Sequence, residues 1–263
     1  MDKQLIARRF AKARNTYSQA AKAQRQVAEK MLHLVSQAHP LLPQRVVEVG
    51  CGTGIYSQLL LQAFHPQALT LIDLCPEMEP LIHELLSRHT LHSGGSAPLT
   101  HLHFIAGDAE ELPLPAGADL ITSCSTIQWF EQPARFLQRC ADALRPGGLL
   151  ALSTFGGENL RQIRTLTGHG LSYPSLTAWQ AMAPPTLKWQ HLEEEEVTLW
   201  FPSPIEVLRH LKETGVTGTE KQMWSRQRLA RFTDSYQQQF GTATGQVPLT
   251  YHPIYLILKK ENL

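Results

Sequence analysis

The N-terminal segment has the hydrophobic pattern of amphipathic helices. Residues 5–37 are rich in Ala, Gln, Lys and Arg and contain neither Pro nor Gly, the residues least compatible with a helix interior. Apolar side chains recur along this segment at Phe10, Tyr17, Val27, Met31 and Leu34. The pattern predicts one or two helices, which end at the proline-containing segment 39–43 because proline breaks a helix.

Short apolar runs then alternate with helical patterns as far as residue 154. The predicted strands cover 46–49, 68–73, 101–105, 119–124 and 149–154, and the predicted helices cover 55–65, 76–89 and 133–144. Residues 90–100, with Gly94-Gly95-Ser96, are predicted to be a flexible link, and Arg145-Pro146-Gly147-Gly148 is predicted to end the third of these helices. This alternation predicts a doubly wound α/β fold, in which helices cover both faces of a parallel sheet.

The C-terminal part of the chain is less regular. Residues 155–195 lack a strand pattern and contain Trp179, Pro184, Pro185 and Trp189, which favours an inserted helical lid. Beyond it the pattern predicts a strand at 197–201, helices at 205–213 and 226–240, and a final apolar strand at 251–259. We therefore expect a single domain over residues 1–263, with a helical cap at 1–40, a core at 45–154, the lid at 155–195 and C-terminal strands and helices at 196–263.

Composition restricts the class of protein. Of the 263 residues 43% are hydrophobic, which is enough for one substantial core, but no apolar run approaches the roughly 20 residues that span a bilayer. The cysteines form no C-x-x-C pair, which argues against a metal site or a disulfide framework. No signal peptide is evident, so we expect a cytoplasmic protein that does not bind a membrane. A net charge of only +1 gives no reason to expect nucleic-acid binding.

The segment Glu48-Val49-Gly50-Cys51-Gly52-Thr53-Gly54 is the strongest candidate for a ligand site. It lies between a predicted strand and a predicted helix, where glycines let a ligand approach the backbone and the helix start offers free N–H groups. Similar turns occur in dinucleotide-binding sites, and a glycine turn that binds no ligand is a further alternative. Ile55 stands where the dinucleotide pattern has its third glycine, which favours a nucleoside without a pyrophosphate.

Acidic residues end the next two predicted strands and would face the same crevice. Asp73 follows Gly54 by 19 residues, at a position where a carboxylate accepts hydrogen bonds from ribose hydroxyls. Asp108 lies in the segment 107–113, where it could accept a hydrogen bond from an adenine amino group. An ordinary turn or N-cap aspartate is the alternative for Asp108.

These motifs, with Arg145-Pro146-Gly147-Gly148, resemble those of the class I S-adenosylmethionine-dependent methyltransferases over residues 45–154. The resemblance implies a Rossmann-like, mostly parallel seven-stranded sheet whose last strand, at 251–259, is antiparallel. It also implies S-adenosylmethionine as the cofactor. The implied cofactor-binding residues are Glu48, Gly50, Gly52 and Gly54 around the methionine moiety, Asp73 at the ribose, and Asp108 with Ala109 at the adenine. Cys51, Leu74 and Ser125 complete the implied set.

Flanking motifs narrow this resemblance. They are Phe10-x-x-Ala13-x-x-x-Tyr17, Gln24-Arg25-Gln26 and the segments 125–130, 211–215 and 247–255. Together they resemble the malonyl-acyl-carrier-protein O-methyltransferases of biotin synthesis, although Arg14, Ser18 and Val216 depart from the usual residues of that group. The resemblance implies methylation of the free carboxyl of malonyl-acyl carrier protein, which gives the ester that primes pimeloyl synthesis.

A carboxyl substrate needs little activation by the protein. A carboxylate is already ionised at neutral pH and requires no general base, and the sequence shows no nucleophile–base pair. The candidates for positioning the carboxylate are Tyr17, Tyr251, Lys212 and His252, while Trp129 is a candidate for the pocket wall. Each of the four could instead be an ordinary core or surface residue. The N-terminal helices and the lid would exclude water.

Positive charge is concentrated near the N-terminus. Residues 1–30 contain Lys3, Arg8, Arg9, Lys12, Arg14, Lys22, Arg25 and Lys30, against only Asp2 and Glu29. One interpretation is a docking surface for an acidic acyl carrier protein, with Arg8, Arg9 and Lys12 as candidates. The other interpretation is a solvated helix face.

Three other functions agree with parts of the pattern. One is methyl transfer to another small molecule, such as a quinone precursor. A nicotinamide-dependent dehydrogenase is disfavoured by Ile55 and by the second acid, Asp108. A cofactor-binding protein without catalysis is disfavoured because every expected cofactor position is filled.

Overall fold

A mostly parallel sheet with flanking helices organises the computed structural model, which describes residues 2–39, 41–92, 101–216 and 225–262. Within these ranges the helices are α1 (Lys3–Ala20), α2 (Lys22–Ala38), α3 (Ile55–Phe64), α4 (Glu79–His92), α5 (Pro133–Ala143), α6 (Arg161–Thr167), α7 (Leu176–Met182), α8 (Pro204–Glu213) and α9 (Arg226–Phe240). The strands are β1 (Arg45–Val49), β2 (Ala68–Asp73), β3 (His101–Ala106), β4 (Ala118–Cys124), β5 (Leu144–Phe155), β6 (Leu187–Glu194), β7 (Val197–Phe201), β8 (Val247–Tyr251) and β9 (Pro253–Lys260).

The main sheet has the strand order β3-β2-β1-β4-β5-β9-β6. Strands β1 to β5 pair in parallel, β9 runs antiparallel to β5, and β6 pairs antiparallel with β9. This topology confirms the predicted doubly wound fold with seven strands and an antiparallel last strand. Because the strand order reverses at β1, a crevice opens at the carboxyl ends of β1 and β4, where such sheets bind ligands.

Helices bury β1 from both sides. Met31 of α2 and Leu60 of α3 pack with Val46 on one face of the sheet. Phe136 of α5 packs in the cluster that contains Val47 on the other face. Successive residues of a strand point to opposite faces, so both faces of this apolar run need a hydrophobic partner. The buried strand fixes the position of the glycine turn that follows it.

The third core helix, α5, ends at Ala143, just before the segment predicted to stop it. Strand β5 begins at Leu144, directly after α5, and the segment 145–148 belongs to the strand. The pairing passes from Ala118 with Leu144 to Leu120 with Leu149, so β5 carries extra residues at an irregularity. Gly147, at φ +76°, lies in this bulge.

The predicted helical lid at 155–195 is helical only in part. Helices α6 and α7 lie there, but Leu187–Glu194 forms β6, the edge strand of the main sheet. Most of its side chains are partly or fully exposed, so the strand is polar and lacks the apolar run of a central strand. The prediction of a helical segment was therefore wrong for β6.

The predicted final strand at 251–259 is divided between two sheets. Tyr251 ends β8, which pairs with β7 in a separate two-stranded sheet. Strand β9 begins at Pro253, opposite Phe155 of β5. His252 connects the two strands, so the prediction that one strand contains Tyr251 and His252 was wrong.

Other expectations fall partly outside the described residues. Helix α4 extends to His92, past the start of the predicted flexible link, and 93–100 lie outside the described residues. In the described part of the chain no helix is both long and apolar enough to cross a membrane. Cys51, Cys75, Cys124 and Cys140 are all free thiols, and the cytoplasmic location stays a prediction.

Candidate active site

A cavity lies between the carboxyl ends of β1, β2 and β4 and helix α1. All of the predicted cofactor residues except Gly54 line it, as do Tyr17 and Trp129. Helix α1 contributes Lys3, Ile6, Phe10 and Tyr17, whose spacing places them on one helical face. The N-terminal helix therefore covers the cavity, as the predicted cap would.

The glycine turn exposes its backbone to this cavity at Gly52. Gly52 has φ +53°, and a Cβ atom added there would meet no atom of the described residues within 4 Å. At Gly50, with φ +74°, the added atom would collide with Thr126. Gly54 is the N-cap of α3 and faces Leu85, which explains why it does not line the cavity. Gly52 is thus the glycine of this turn that leaves room for a ligand.

Asp73, at the end of β2, stabilises the glycine turn through hydrogen bonds. Its side chain is buried, with Oδ2 accepting from the Gly52 N–H at 2.8 Å and Oδ1 accepting from the Cys75 N–H at 2.8 Å. Burial raises the pKa of Asp73, and the two N–H groups oppose this shift. Each carboxylate oxygen has a further lone pair, so the side chain can organise the turn and still accept from a ligand.

Glu48 has a buried carboxyl group with unused hydrogen-bonding capacity. Its side chain is 1% exposed, and Oε2 has no hydrogen-bond partner among the described residues. Burial raises the pKa of Glu48 to about 8, so the group is neutral at pH 7. A buried polar atom without a partner is costly and marks a place where a ligand group would fit.

A small cluster of ion pairs connects the start of α1 to the segment that follows β3. Lys3 Nζ lies 2.6 Å from Asp108 Oδ2 and also pairs with Glu110. The Glu110 carboxylate accepts from the backbone N–H groups of Glu131, at 2.9 Å, and Gln132, at 2.6 Å. Burial alone would lower the pKa of Lys3, but the two carboxylates outweigh it and raise the pKa. No pattern in the sequence predicts that Lys3 pairs with Asp108.

A second cavity adjoins the first. Phe10, Tyr17, Gln24, Ser125 and Trp129 line both cavities, so the two meet at these residues, which we call the junction. Phe10 forms edge-to-face ring contacts with Tyr17 and with Trp129, at centroid distances of 6.3 and 5.8 Å. Ser125 has φ +57°, a strained backbone conformation of the kind found at functional sites.

The predicted substrate residues separate into two groups. Tyr17 and Trp129 lie at the junction and Tyr251 lines the second cavity. Lys212 is exposed on α8 and lines neither cavity. His252 also lies outside both cavities, where Nδ1 accepts from the Glu158 N–H at 3.0 Å and Nε2 lies 3.3 Å from Glu194. The geometry therefore does not support a direct substrate contact by Lys212 or His252.

Tyr251 is paired with a residue that the sequence did not indicate. Its hydroxyl lies 2.7 Å from His210 Nε2 in a buried environment. Burial lowers the pKa of His210 to about 4, so the imidazole is neutral at pH 7. Burial also raises the pKa of Tyr251, so the phenol keeps its proton. The pair contributes hydrogen bonding to the second cavity without contributing charge.

Comparison with known proteins identifies the class. A family model described as a methyltransferase domain matches residues 47–152, the part of the chain that forms most of the sheet and the glycine turn. The crystal structure of the YcgJ protein from Bacillus subtilis superposes with a TM-score of 0.62 at 18% identity, covering 89% of this chain and 100% of that one. The structural match shows that the chain has the fold of the class I methyltransferases.

The curated relatives identify the family. A malonyl-acyl-carrier-protein O-methyltransferase from Bacteroides helcogenes is 51% identical over 100% of both chains. A protein of the same name from Bacteroides fragilis is 47% identical over 98% of this chain, which spans 51% of that longer relative. The chain belongs to the malonyl-acyl-carrier-protein O-methyltransferase family.

Proposed function

We propose that the protein transfers a methyl group from S-adenosylmethionine to the free carboxyl group of malonyl-acyl carrier protein. The observation that carries this proposal is the junction of the two cavities at Phe10, Tyr17, Gln24, Ser125 and Trp129. The first cavity is bounded by the glycine turn and by strand-end carboxylates, and the second by uncharged side chains. A methyl donor in the first and an acceptor in the second would meet at the junction.

The first cavity fits S-adenosylmethionine. Gly52 leaves open space above the turn, and Glu48 presents a buried oxygen that has no partner in the described part of the chain. We assign Glu48 to the methionine amino group and Asp73 to the ribose hydroxyls. Asp108 and Ala109 are assigned to the adenine. When bound, the cofactor supplies a methyl group that is already activated on a positively charged sulfur.

The second cavity suits an ionised carboxylate that needs positioning only. A malonyl carboxylate is ionised at neutral pH, so no residue has to remove a proton. None of the described residues that line this cavity is Lys, Arg, His, Asp or Glu. Neutral hydrogen-bond donors would hold the carboxylate in place. Because they carry no positive charge, they would reduce its nucleophilicity less than a cation would. The ring contacts of Phe10 with Tyr17 and Trp129 give the junction an apolar wall, which keeps water from the nucleophile.

Cofactor binding should release a proton from Glu48. The carboxyl group is neutral at pH 7 because burial raises its pKa to about 8, whereas a bound ammonium group favours the ionised form and lowers that pKa. Affinity for S-adenosylhomocysteine should therefore rise with pH, by at most about tenfold per pH unit. The rise should end as the pH passes about 8. Calorimetry in two buffers of different ionisation enthalpy measures the proton released.

The matched variant for this measurement is Glu48→Gln, which keeps the shape of the side chain and cannot ionise. Its affinity should be weaker and should no longer depend on pH in this range, and binding should release no proton from this site. If the wild-type protein also releases none, the amino group of the ligand is bound elsewhere.

Asp73→Ala should weaken S-adenosylhomocysteine binding by about 1–3 kcal/mol, the usual range for removing a charged hydrogen-bond partner. Asp119→Ala is a matched control, because that buried carboxylate also accepts two backbone N–H groups, from Gln44 and Arg45, at the opposite end of the sheet. The control should lose thermal stability but not affinity. Titration calorimetry on both folded variants tests this, and equal affinities would remove Asp73 from the ligand site.

The basic part of α1 is the proposed docking surface for the carrier protein. Lys3 and Lys30 are already paired with carboxylates, so they are not available to an acidic partner. Arg8 and Lys12 are exposed on the same helix whose other face covers the cavity, and Arg9 is half-buried between them. We assign Arg8, Arg9 and Lys12 to this surface because acyl carrier proteins are acidic and a docked carrier would lie close to the cavities.

An assay with several acceptors tests the proposed function. Malonyl-acyl carrier protein should accept methyl groups, while acetyl-acyl carrier protein, which presents the same carrier without a free carboxyl, should not. A small quinone precursor tests the alternative substrate class, which the family relationship does not favour. Methylation of acetyl-acyl carrier protein, or of the quinone precursor in preference to malonyl-acyl carrier protein, would overturn the proposal.

A further inference from the structure

We propose that the hydroxyl of Tyr173 binds the substrate carboxylate in the second cavity and that Asn159 is the positioning residue that orients this hydroxyl. The inference rests on the proposed function, because it assigns a place to the carboxylate within the same site. Both residues line the second cavity and neither lines the first. Tyr173 lies between α6 and α7, in the segment that follows β5.

The orientation of the Asn159 amide is fixed by a backbone group. Asn159 is buried, and its Oδ1 accepts from the N–H of His252 at 3.3 Å. A backbone N–H can only donate, so the atom facing it must be the carbonyl oxygen. The amide nitrogen is therefore the atom that faces Tyr173, where Nδ2 donates to the phenol oxygen at 2.8 Å.

This bond determines what the Tyr173 hydroxyl can do. Because the phenol oxygen accepts from Asn159, its proton must point elsewhere, and no acceptor for it is found among the described residues. Burial raises the pKa of Tyr173, so the proton is present at neutral pH. The Tyr173 hydroxyl is thus held in one orientation, and among the described residues nothing accepts its proton, so it can donate to a ligand.

Two other polar side chains of this cavity, Gln128 and Tyr251, are less suited to a carboxylate. Gln128 donates through Nε2 to the Ser125 carbonyl at 2.7 Å. Its remaining group is Oε1, a buried acceptor for which the described residues offer no partner. An acceptor oxygen repels a carboxylate. The proton of Tyr251 is shared with His210, and its direction depends on the imidazole tautomer.

A phenol donor also distinguishes substrate from product. Its hydrogen bond to a charged carboxylate is stronger than its bond to the neutral methyl ester. The negative charge is already decreasing in the transition state, so Tyr173 stabilises the bound substrate more than the transition state. Removal of the hydroxyl should therefore raise KM without lowering kcat.

Steady-state kinetics of Tyr173→Phe with malonyl-acyl carrier protein test the assignment. KM should rise about tenfold, the loss expected for a hydrogen bond to a charged group, with kcat within about twofold of wild type. S-adenosylhomocysteine affinity should not change. The matched control is Tyr236→Phe, since that hydroxyl donates to the Pro248 carbonyl at 2.6 Å, away from both cavities, and its removal should leave KM unchanged.

Asn159→Asp supplies a second, nearly isosteric test. Aspartate would still accept from His252, but its other oxygen would take the Tyr173 proton and turn it away from the cavity. KM should rise as in Tyr173→Phe even though the tyrosine is present. In the double variant, Asn159→Leu, which is nearly isosteric and adds no charge beside the substrate carboxylate, should add nothing to Tyr173→Phe. Asn159→Asp also serves if Tyr173→Phe does not fold.

The outcomes separate this inference from the proposed function. If wild-type protein methylates malonyl-acyl carrier protein and either folded variant keeps the wild-type KM, the carboxylate is bound elsewhere and the inference is overturned. A further rise in KM on adding Asn159→Leu to Tyr173→Phe would overturn the positioning role of Asn159. If the wild-type protein does not methylate this substrate at all, the proposed function fails and the inference fails with it.

Discussion

Gly52→Val should weaken S-adenosylhomocysteine binding about 100-fold or more. The added side chain would occupy the open space above the turn, where a Cβ atom now meets nothing within 4 Å. Because Gly52 has φ +53°, a branched residue would also strain the turn and disturb the N–H that donates to Asp73. Titration calorimetry of the folded variant measures the loss.

Gly245→Val is the matched control for backbone strain. Gly245 has φ +83° and open space around its added Cβ, but it lies in the turn before β8 and lines neither cavity. This variant should lose a similar amount of thermal stability and keep its affinity. Gly52→Val binding within a few-fold of wild type would show that the ligand does not lie over the turn. Equal losses in the two variants would assign the effect to strain.

Reversing Arg8, Arg9 and Lys12 to glutamate should lower kcat/KM for malonyl-acyl carrier protein about 10- to 100-fold at low salt, because electrostatic attraction raises the encounter rate by factors of this order. High salt should reduce the difference between variant and wild type. Activity on malonyl-coenzyme A should fall much less, since that substrate has no protein surface. S-adenosylhomocysteine affinity should be unchanged.

Reversal of Arg226, Arg228 and Arg231 on α9 is the comparison for this experiment. It changes the net charge by the same amount on a different helix. If the α1 reversal has the larger effect on the carrier-protein substrate, α1 is the docking surface. If both substrates lose activity equally, α1 acts only as a cover for the cavity. If only the α9 reversal slows the reaction, the carrier protein docks there.

The sequence predicted the sheet well where strands are buried on both faces. Val46, Val47 and Val49 form an apolar run because helices cover both faces of β1, and such runs stand out in a sequence. Strand β6 was missed because an edge strand with exposed polar side chains has no such run. Residues 251–259 are divided at His252 because the chain before it pairs with β7 and the chain after it pairs with β5. No local pattern in the sequence indicates these pairings.

In the candidate site, too, residues marked by a local sequence pattern could be predicted, whereas contacts between residues distant in the sequence could not. The residues at strand ends, such as Glu48 and Asp73, could be predicted because the fold brings strand ends together. Lys3 reaches Asp108 across 105 positions, and no spacing rule connects such residues. Asn159 and Tyr173 were likewise missed, because their proposed role depends on the backbone N–H of His252, which is distant from them in the sequence.

The central claim is that the carboxyl group of malonyl-acyl carrier protein receives the methyl group, and intact-mass spectrometry of the carrier protein tests it most directly. After incubation with this protein and S-adenosylmethionine, malonyl-acyl carrier protein should gain the mass of a methyl group in place of a proton. An equal amount of S-adenosylhomocysteine should form. A protein that binds S-adenosylhomocysteine yet leaves the mass of malonyl-acyl carrier protein unchanged would contradict the account.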